Sequence, residues 1–163
     1  MRLHSWICRG VLLIVATASL AAYERRPLPA FAVTSPAGVA LPGTTLSTQP
    51  RWVLMYVSPG CRSCDRLLQS LKDWQSPQIT SRTVVIVRGT SLEAAAYIAE
   101  HLPPESGAVA WYADEGSQAW QALGLKSTPA LIGVERGEID WTIGGVLNDP
   151  KALELVIRKW VEY

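Results

Sequence analysis

The chain has 163 residues, of which 48% are apolar and 18% are charged, with a formal net charge of +1. This length makes about one domain, and the composition supplies enough apolar material for a core, so a disordered chain is excluded. No run of Lys or Arg is longer than two residues. A nucleic-acid partner held through phosphate contacts is therefore not expected.

Residues 1–22 have the pattern of an export signal. Arg2 and Arg9 are basic, and residues 10–22 form an uninterrupted run of small and apolar side chains. The run is shorter than the ~20 apolar residues that a membrane-spanning helix needs. We expect a signal peptide, with an uncleaved N-terminal anchor as the alternative, and therefore a periplasmic or otherwise extracytoplasmic protein. Residues 23–163 then form the one domain of the mature chain.

The first part of this domain is rich in Pro, Gly, Ser and Thr. Residues 31–41 predict a small β-hairpin around a turn at residues 35–38. Residues 51–57 form a nearly continuous apolar run, which is typical of a strand buried on both faces. The turn residues at 58–60 end this strand. A helix is predicted from Cys61, with an apolar side that consists of Leu67, Leu68, Leu71 and Trp74.

The next predicted elements are a strand at residues 83–88 and a second helix. Thr90 and Glu93 resemble a capping box that opens this helix. His101 lies near its end, where a solvated histidine is favourable beside the negative end of the helix dipole. The apolar side predicted for the helix consists of Leu92, Ala95, Ala96, Ala99 and Leu102.

The remaining predicted elements are a strand at 108–112, a short helix at 117–123, a hairpin of strands 130–134 and 139–143, and a last helix that begins at Asp149-Pro150. The tip of that hairpin, which contains Glu135, Arg136 and Glu138, is expected to be solvated. Strands and helices alternate first, and an antiparallel hairpin and a helix come last. This order indicates an α/β sandwich with a mixed central sheet.

The strongest functional signal is the pair Cys61 and Cys64, between a buried strand and an amphipathic helix. Spacing of i, i+3 at a helix start puts both sulfurs on one face, where they can form a disulfide. The free N–H groups and the positive end of the helix dipole stabilise a thiolate at the first cysteine, and Arg62 adds a cation beside it. We therefore expect a redox dithiol, with Cys61 as the nucleophile and Cys64 as the resolving thiol.

Two other interpretations of the cysteine pair stay open. A structural disulfide that closes a loop of about four residues would contribute roughly 2 kcal/mol, against about 4.7 kcal/mol for a loop of 100 residues. Two thiolates are half of a zinc set, and no metal site is predicted. Copper(I) held by the two cysteines is nevertheless an alternative, as is a non-catalytic module that binds a metal ion or a partner protein.

A second signal is Thr128 followed by Pro129, directly before an apolar strand. Proline is tolerated at the start of a strand because it donates no ladder hydrogen bond there, and this alone would explain it. The functional interpretation is a cis-proline beside the dithiol, which exposes the backbone of Thr128 for pairing with a bound peptide. Cis bonds make up only ~5–6% of X-Pro bonds in folded proteins, so the prediction is specific.

These residues resemble the thioredoxin superfamily. The matching pieces are WVLMYV, CRSC at the start of a helix, LKSTPALIGVERGEIDWTIGG and a C-terminal helix, and together they cover residues 51–163. The additional helix and strand at 91–112 and the hairpin at 31–41 look more like the exported TlpA/ResA-type proteins. The stretch VSPGCRSCDRLL is also similar to the methylamine-utilisation thioredoxins.

The resemblance implies a thioredoxin-like three-layer sandwich with an N-terminal β-hairpin extension. It implies a thiol–disulfide oxidoreductase that uses Cys61 and Cys64 on protein thiols and disulfides of the exported compartment, with Thr128 and Pro129 at the substrate. No cofactor is implied, because electrons come from partner thiols, and a membrane electron donor is a further expected partner. Met55 stands where thioredoxin has a buried acid, which leaves the direction of the redox reaction open.

Overall fold

The computed structural model describes residues 25–74, 76–102, 109–145 and 149–162. The predicted signal peptide or anchor at residues 1–22 lies outside the described residues. Within them, none of the helices combines the length and the apolar character that a membrane crossing requires.

An eight-stranded mixed sheet forms the centre of the described part. Its strands are β1 Arg26–Pro27, β2 Ala32–Thr34, β3 Ala40–Pro42, β4 Arg51–Val57, β5 Thr83–Arg88, β6 Ala110–Asp114, β7 Ala130–Glu135 and β8 Glu138–Gly144. They lie across the sheet in the order β1-β8-β7-β4-β5-β6-β2-β3. β4, β5 and β6 are parallel, whereas β7 is antiparallel to both β4 and β8. The predicted mixed sheet is therefore confirmed.

Helices and the N-terminal segment cover the two faces of this sheet. The helices are α1 Arg62–Asp73, α2 Pro77–Thr80, α3 Ser91–His101, α4 Gln118–Leu123 and α5 Pro150–Glu162. Side chains alternate along β4, so Met55 faces a core with α1, α2, α3 and α5, while Tyr56 faces a second core with α4. Leu28 and Phe31 of the N-terminal segment also belong to this second core. The arrangement is a three-layer sandwich.

The predicted N-terminal hairpin is present. β2 pairs antiparallel with β3, and the pairing of Thr34 with Ala113 attaches the hairpin to β6. The ring of Phe31 lies 2.4 Å from the place where a Cβ of residue 43 would stand. Gly43 is therefore the residue that lets the chain after the hairpin fold back over this ring.

The buried side of α3 differs from the prediction. Leu92, expected to be buried, is 82% exposed, whereas Ala94, Tyr97 and Ile98 are buried. Alanines occupy several sides of this helix, so the apolar pattern gives its orientation only weakly. The difference matters because the observed orientation turns the Tyr97 hydroxyl towards α1.

The tip of the β7–β8 hairpin is only partly solvated. Arg136 and Glu138 are exposed as predicted, but Glu135 is buried. Its carboxylate accepts a hydrogen bond from Nε of Arg51 at 2.7 Å and pairs with Arg25 at 2.8 Å. The hydrogen bond from Arg51 lowers the pKa of Glu135 below its ordinary value. Glu135 is therefore buried rather than solvated as expected, because two arginines that are distant in the sequence pair with its carboxylate.

One of the short helices, α2, and one of the short strands, β1, were not predicted. α2 has only four residues, too few for a periodic apolar pattern, although Ser76 caps it and Pro77 is its first residue. The same cap-and-proline pattern predicts a helix at Asp149-Pro150 because a long apolar repeat follows it there. β1 has two residues and pairs antiparallel with β8 at the edge of the sheet.

Candidate active site

The cysteine pair lies in the connection between β4 and α1. β4 ends at Val57, and the turn that follows includes Gly60, whose φ is +77°. A residue without Cβ adopts this left-handed conformation at no steric cost. Cys61 is the N-cap of α1, and Arg62 is the first helical residue. The predicted placement between a buried strand and an amphipathic helix is confirmed.

Cys61 and Cys64 form a disulfide, with their Cα atoms 5.2 Å apart. Cys64 has no exposed surface, whereas Cys61 is half-buried. The Sγ of Cys61 accepts a hydrogen bond from the backbone N–H of Cys64 at 3.2 Å. The same N–H also donates to the Cys61 carbonyl at 2.8 Å, so a backbone N–H of the first turn is shared with the sulfur predicted to ionise. The roles of the two sulfurs remain a prediction.

The side of Cys64 that faces the core is apolar. Met55 packs in the same buried cluster as Cys64 and has no exposed surface. The buried carboxylates of the described residues are Asp114 and Glu135. Asp114 accepts a hydrogen bond from Tyr56 on the opposite face of the sheet, and Glu135 pairs with the first residue of β4, at the strand end remote from Cys61.

The peptide bond between Thr128 and Pro129 is cis, as predicted. Tyr56 of β4 pairs with Ala130 of β7, so Pro129 precedes its strand at the sheet end from which β4 leads into Cys61. The Pro129 carbonyl accepts a hydrogen bond from Gly145 N–H at 2.9 Å. Thr128 is half-buried at the surface. Its predicted contact with a substrate peptide stays a prediction.

Two arginines flank the start of α1. Arg62, predicted to favour the Cys61 thiolate, is exposed, and so is Arg66, which donates a hydrogen bond to the Ser63 hydroxyl at 3.2 Å. Asp65 is the acidic residue of this first turn. The predicted effect of Arg62 on Cys61 remains a prediction.

A polar cluster that the sequence analysis missed connects α1 to α3. The Tyr97 hydroxyl donates to Oδ1 of Asp65 at 2.7 Å, and Nε2 of His101 lies 3.6 Å from the same oxygen. The rings of Tyr97 and His101 pack with centroids 4.5 Å apart. His101 is thus partly buried, with 22% of its side chain exposed, rather than solvated as expected. Burial and then the bond to Asp65 raise the pKa of Tyr97 well above its ordinary value, so its hydroxyl remains a donor.

This cluster lines a cleft of about 440 Å³ beside the cysteine pair. Its other lining residues are Pro59, Gly60, Glu93, Ala96 and Glu100. Pro59 and Gly60 belong to the turn directly before Cys61. A signal for part of the cluster was present, because Tyr97 and His101 are spaced i, i+4 on one face of α3. The cluster was not predicted because the apolar pattern assigned the wrong buried side to α3.

The described residues contain no group of three or more His, Cys, Asp and Glu side chains that could hold a metal ion. Within that part of the chain, a metal at the cysteine pair would rest on the two sulfurs of Cys61 and Cys64. The structure thus adds no ligand to the copper(I) alternative.

No protein-family model and no curated protein sequence matches the chain, but solved structures do. A protein described as the thiol:disulfide interchange protein DsbE of Chlorobium tepidum has a TM-score of 0.67 at 16% identity, over 86% of this chain and 99% of that one. A secreted Mycobacterium tuberculosis disulfide oxidoreductase, described as homologous to E. coli DsbE, has a TM-score of 0.63 at 14% identity, over 79% and 95%. The exposed lipoprotein thioredoxin of Streptococcus pneumoniae has a TM-score of 0.58 at 11% identity, over 80% and 98%.

At these identities the likeness shows the fold. The chain has a thioredoxin-like fold, and the predicted fold class is confirmed. Its activity, partners and location are matters for proposal, supported by the site geometry.

Proposed function

We propose that this protein is an extracytoplasmic thiol–disulfide oxidoreductase, similar to the exported TlpA/ResA-type thioredoxins. The observation that carries the proposal is the disulfide at the N-cap of α1, in which Cys61 is partly exposed and Cys64 is fully buried. A partner sulfur can approach Cys61, and Cys64 is held where it can reach the Cys61 sulfur afterwards. The similar structures named as disulfide oxidoreductases support the same activity.

The reaction in the reducing direction has two exchanges. The Cys61 thiolate attacks a partner disulfide, a bond forms between Cys61 and one partner sulfur, and the other partner sulfur leaves as a thiolate that takes a proton from solvent. Cys64 loses its proton to solvent and attacks the Cys61 sulfur. The intramolecular disulfide forms, and the second partner sulfur leaves as a thiolate. Two electrons thus pass from the protein to the partner, and the oxidising direction is the reverse.

The position of Thr128 supports a substrate site at the end of the sheet that carries the sulfurs. Thr128 is half-buried and precedes Pro129 at the same end of the sheet as Cys61. We infer that the Thr128 backbone pairs with the extended chain around a partner cysteine. Arg62 is proposed to favour the thiolate through its positive charge.

The proposed location rests on the sequence and on the similar structures. Residues 1–22 have the export pattern, and two of the similar proteins are described as secreted and as an exposed lipoprotein. Cell fractionation should place the protein outside the cytoplasm, and N-terminal sequencing should distinguish a cleaved signal from an anchor. An anchored protein would be close to a membrane electron donor. Recovery only from the cytoplasm would contradict the proposal.

Reduction of insulin disulfides by the purified full chain tests the activity. The wild-type protein, supplied with dithiothreitol, should accelerate insulin precipitation, and Cys61→Ser should not. Cys8→Ser is the matched control, because it removes the cysteine outside the predicted redox pair and should leave the activity unchanged. Equilibration with glutathione would then give the reduction potential and the direction of the reaction. Lack of exchange with any disulfide, together with tight copper(I) binding by the pair, would contradict the proposal and favour the binding module.

A further inference from the structure

The cluster of Tyr97, Asp65 and His101 lies close to the sulfur that starts the exchange. Cys61 is the N-cap of α1 and Asp65 is the fourth residue of the helix, so the two residues are about one helical turn apart. The Asp65 N–H donates to the Cys61 carbonyl at 3.1 Å, which shows that this turn is formed. Asp65 also lines the same cleft as Pro59 and Gly60, the two residues directly before Cys61, so its carboxylate is on the side of the helix start where negative charge develops when Cys61 ionises.

A carboxylate in this place opposes the thiolate, because like charges disfavour each other's ionised form. Two groups reduce that effect. The Tyr97 hydroxyl donates to Oδ1 of Asp65 at 2.7 Å and stays protonated. The second group, His101, has its Nε2 3.6 Å from the same oxygen, so a protonated His101 places a cation directly against the carboxylate. Histidine is the side chain whose charge ordinarily changes between pH 5 and 8.

The groups that face His101 are acidic or neutral. Asp65 faces it from α1, and on α3 the Oε2 of Glu100 lies 3.9 Å from its Nε2, with the Tyr97 ring packed against it. Glu93 lines the same cleft. Among the described lining residues there is no lysine or arginine. The protonated imidazole is therefore the cation that these residues can supply to Asp65.

We propose that Asp65, held by Tyr97 and His101, is a positioning residue that couples the reactivity of Cys61 to the charge of His101. With His101 neutral, the Asp65 carboxylate opposes the Cys61 thiolate. With His101 protonated, the two charges of the pair offset each other and the thiolate forms more readily. The inference rests on the proposed function, since it concerns the thiolate that begins the exchange.

The rate at which iodoacetamide alkylates Cys61 between pH 5 and 9 measures this coupling. The full chain carrying Cys64→Ser presents Cys61 as the free thiol of the pair, and mass spectrometry identifies the alkylated residue. In this parent, the rate should fall less steeply below pH 7 than one ionisation requires, because protonation of His101 favours the thiolate. The profile should therefore need two ionisations.

Two substitutions should change that profile in different ways. Asp65→Asn should shift the Cys61 ionisation about half a unit to one unit lower, which raises the thiolate fraction about three- to tenfold at a fixed pH below it. The second ionisation should persist, because a protonated His101 still favours the thiolate through its own charge. His101→Gln keeps the carboxylate, so it should remove the second ionisation and lower the rate about two- to fivefold near pH 5.5.

A matched control is Asp73→Asn, which removes an exposed carboxylate of the same helix. Residue 73 lies 12 positions after Cys61, about 18 Å along the helix axis, and the profile should not change. If Asp65→Asn fails to fold, His101→Gln still tests the coupling because it removes no buried hydrogen bond.

The outcomes separate the inference from the proposed function. If the wild-type chain exchanges with insulin disulfides while the profiles of Asp65→Asn and His101→Gln superimpose on the parent, the coupling is wrong and the activity stands. If the wild-type chain exchanges with no disulfide, the proposed function is wrong.

Discussion

Two tyrosine–aspartate pairs in the described residues lie on opposite faces of the same sheet. Tyr56 donates to Asp114 at 2.7 Å, and Tyr97 donates to Asp65 at 2.7 Å. Asp114 is 1% exposed and also accepts hydrogen bonds from two backbone N–H groups at the start of α4, at 2.9 and 3.0 Å. The side chain of Asp65 is 35% exposed and faces His101.

The same two residue types, tyrosine and aspartate, therefore have different roles in the two pairs. Asp114 has three donors and no titrating partner near neutral pH, so its pair fixes β4, β6 and α4 to one another. Asp65 has one donor, in a part-buried hydrogen bond at the cleft, one imidazole and a cysteine one helical turn away. A carboxylate whose oxygens are fully engaged stabilises the fold, whereas one left beside a histidine can respond to pH.

The largest effect should come from replacing either cysteine of the pair whose reactivity Asp65 is proposed to influence. Cys64→Ser should abolish turnover and leave mixed disulfides through Cys61, because the resolving thiol is lost. Cys61→Ser should abolish turnover without accumulating adducts, since the remaining Cys64 is fully buried. Non-reducing gels of extracts show the trapped complexes. Adducts formed only through Cys64 would reverse the assigned roles.

Asp114→Ala should cause the largest loss of stability, about 3 kcal/mol of the free energy of unfolding. It leaves the Tyr56 hydroxyl and two N–H groups of α4 without a partner in a buried place. Asp65→Ala should cost less than about 1 kcal/mol, because water reaches the groups it uncovers. Denaturant unfolding measures both variants.

The second measurement on these variants is the alkylation rate of Cys61 against pH. Asp114→Ala should leave this profile unchanged as long as the chain remains folded. Similar stability losses for the two alanine variants would mean that Asp65 is as structural as Asp114. A shifted profile in Asp114→Ala would show that the two faces are not independent.

The cysteine half of the site was predictable because its signals are local. The apolar run at 51–57, the turn and the i, i+3 spacing of Cys61 and Cys64 all lie within one short stretch. The cis bond at Pro129 was predictable through the resemblance, since a proline before a strand has by itself a simpler explanation.

The polar cluster around Asp65 depended on the orientation of α3, which the apolar pattern of this helix did not determine. Leu92 suggested a buried side, but alanines around the helix fit several orientations, and packing of Tyr97 against α1 decided the one observed. Glu135 shows the same limit, because its two arginines are distant in sequence. Local patterns predicted the elements, while contacts between elements set the polar clusters.

Tyr97→Phe should have the larger effect on the alkylation rate of Cys61, and Tyr56→Phe should have the larger effect on stability. Tyr97→Phe should cost about 1 kcal/mol of stability and lower the alkylation rate of Cys61 about twofold, because the Asp65 carboxylate loses a donor and opposes the thiolate more strongly. Tyr56→Phe should cost about 2 kcal/mol and leave the rate unchanged. Denaturant unfolding and iodoacetamide kinetics, measured on the same preparations, test both halves. An unchanged rate in Tyr97→Phe would remove Tyr97 from the proposed cluster.

The smallest effect should appear at alkaline pH, where the two pairs should behave alike. Burial first, and the hydrogen bond to a carboxylate second, raise the pKa of both Tyr56 and Tyr97 well above the ordinary value. In the unfolded chain tyrosine loses its proton near pH 10, whereas the folded protein keeps both protons. The folded state therefore binds more protons above about pH 10, and the free energy of unfolding should fall as the pH rises there, with no such loss below it. Each Tyr→Phe variant should reduce the difference in bound protons between the folded and unfolded states by one. Both variants should therefore flatten the fall of the unfolding free energy with pH equally, and denaturant midpoints between pH 9 and 11 would measure this. A slope that flattens only in Tyr56→Phe would mean that Tyr97 ionises in the folded protein, which would leave Asp65 held by His101 alone at high pH.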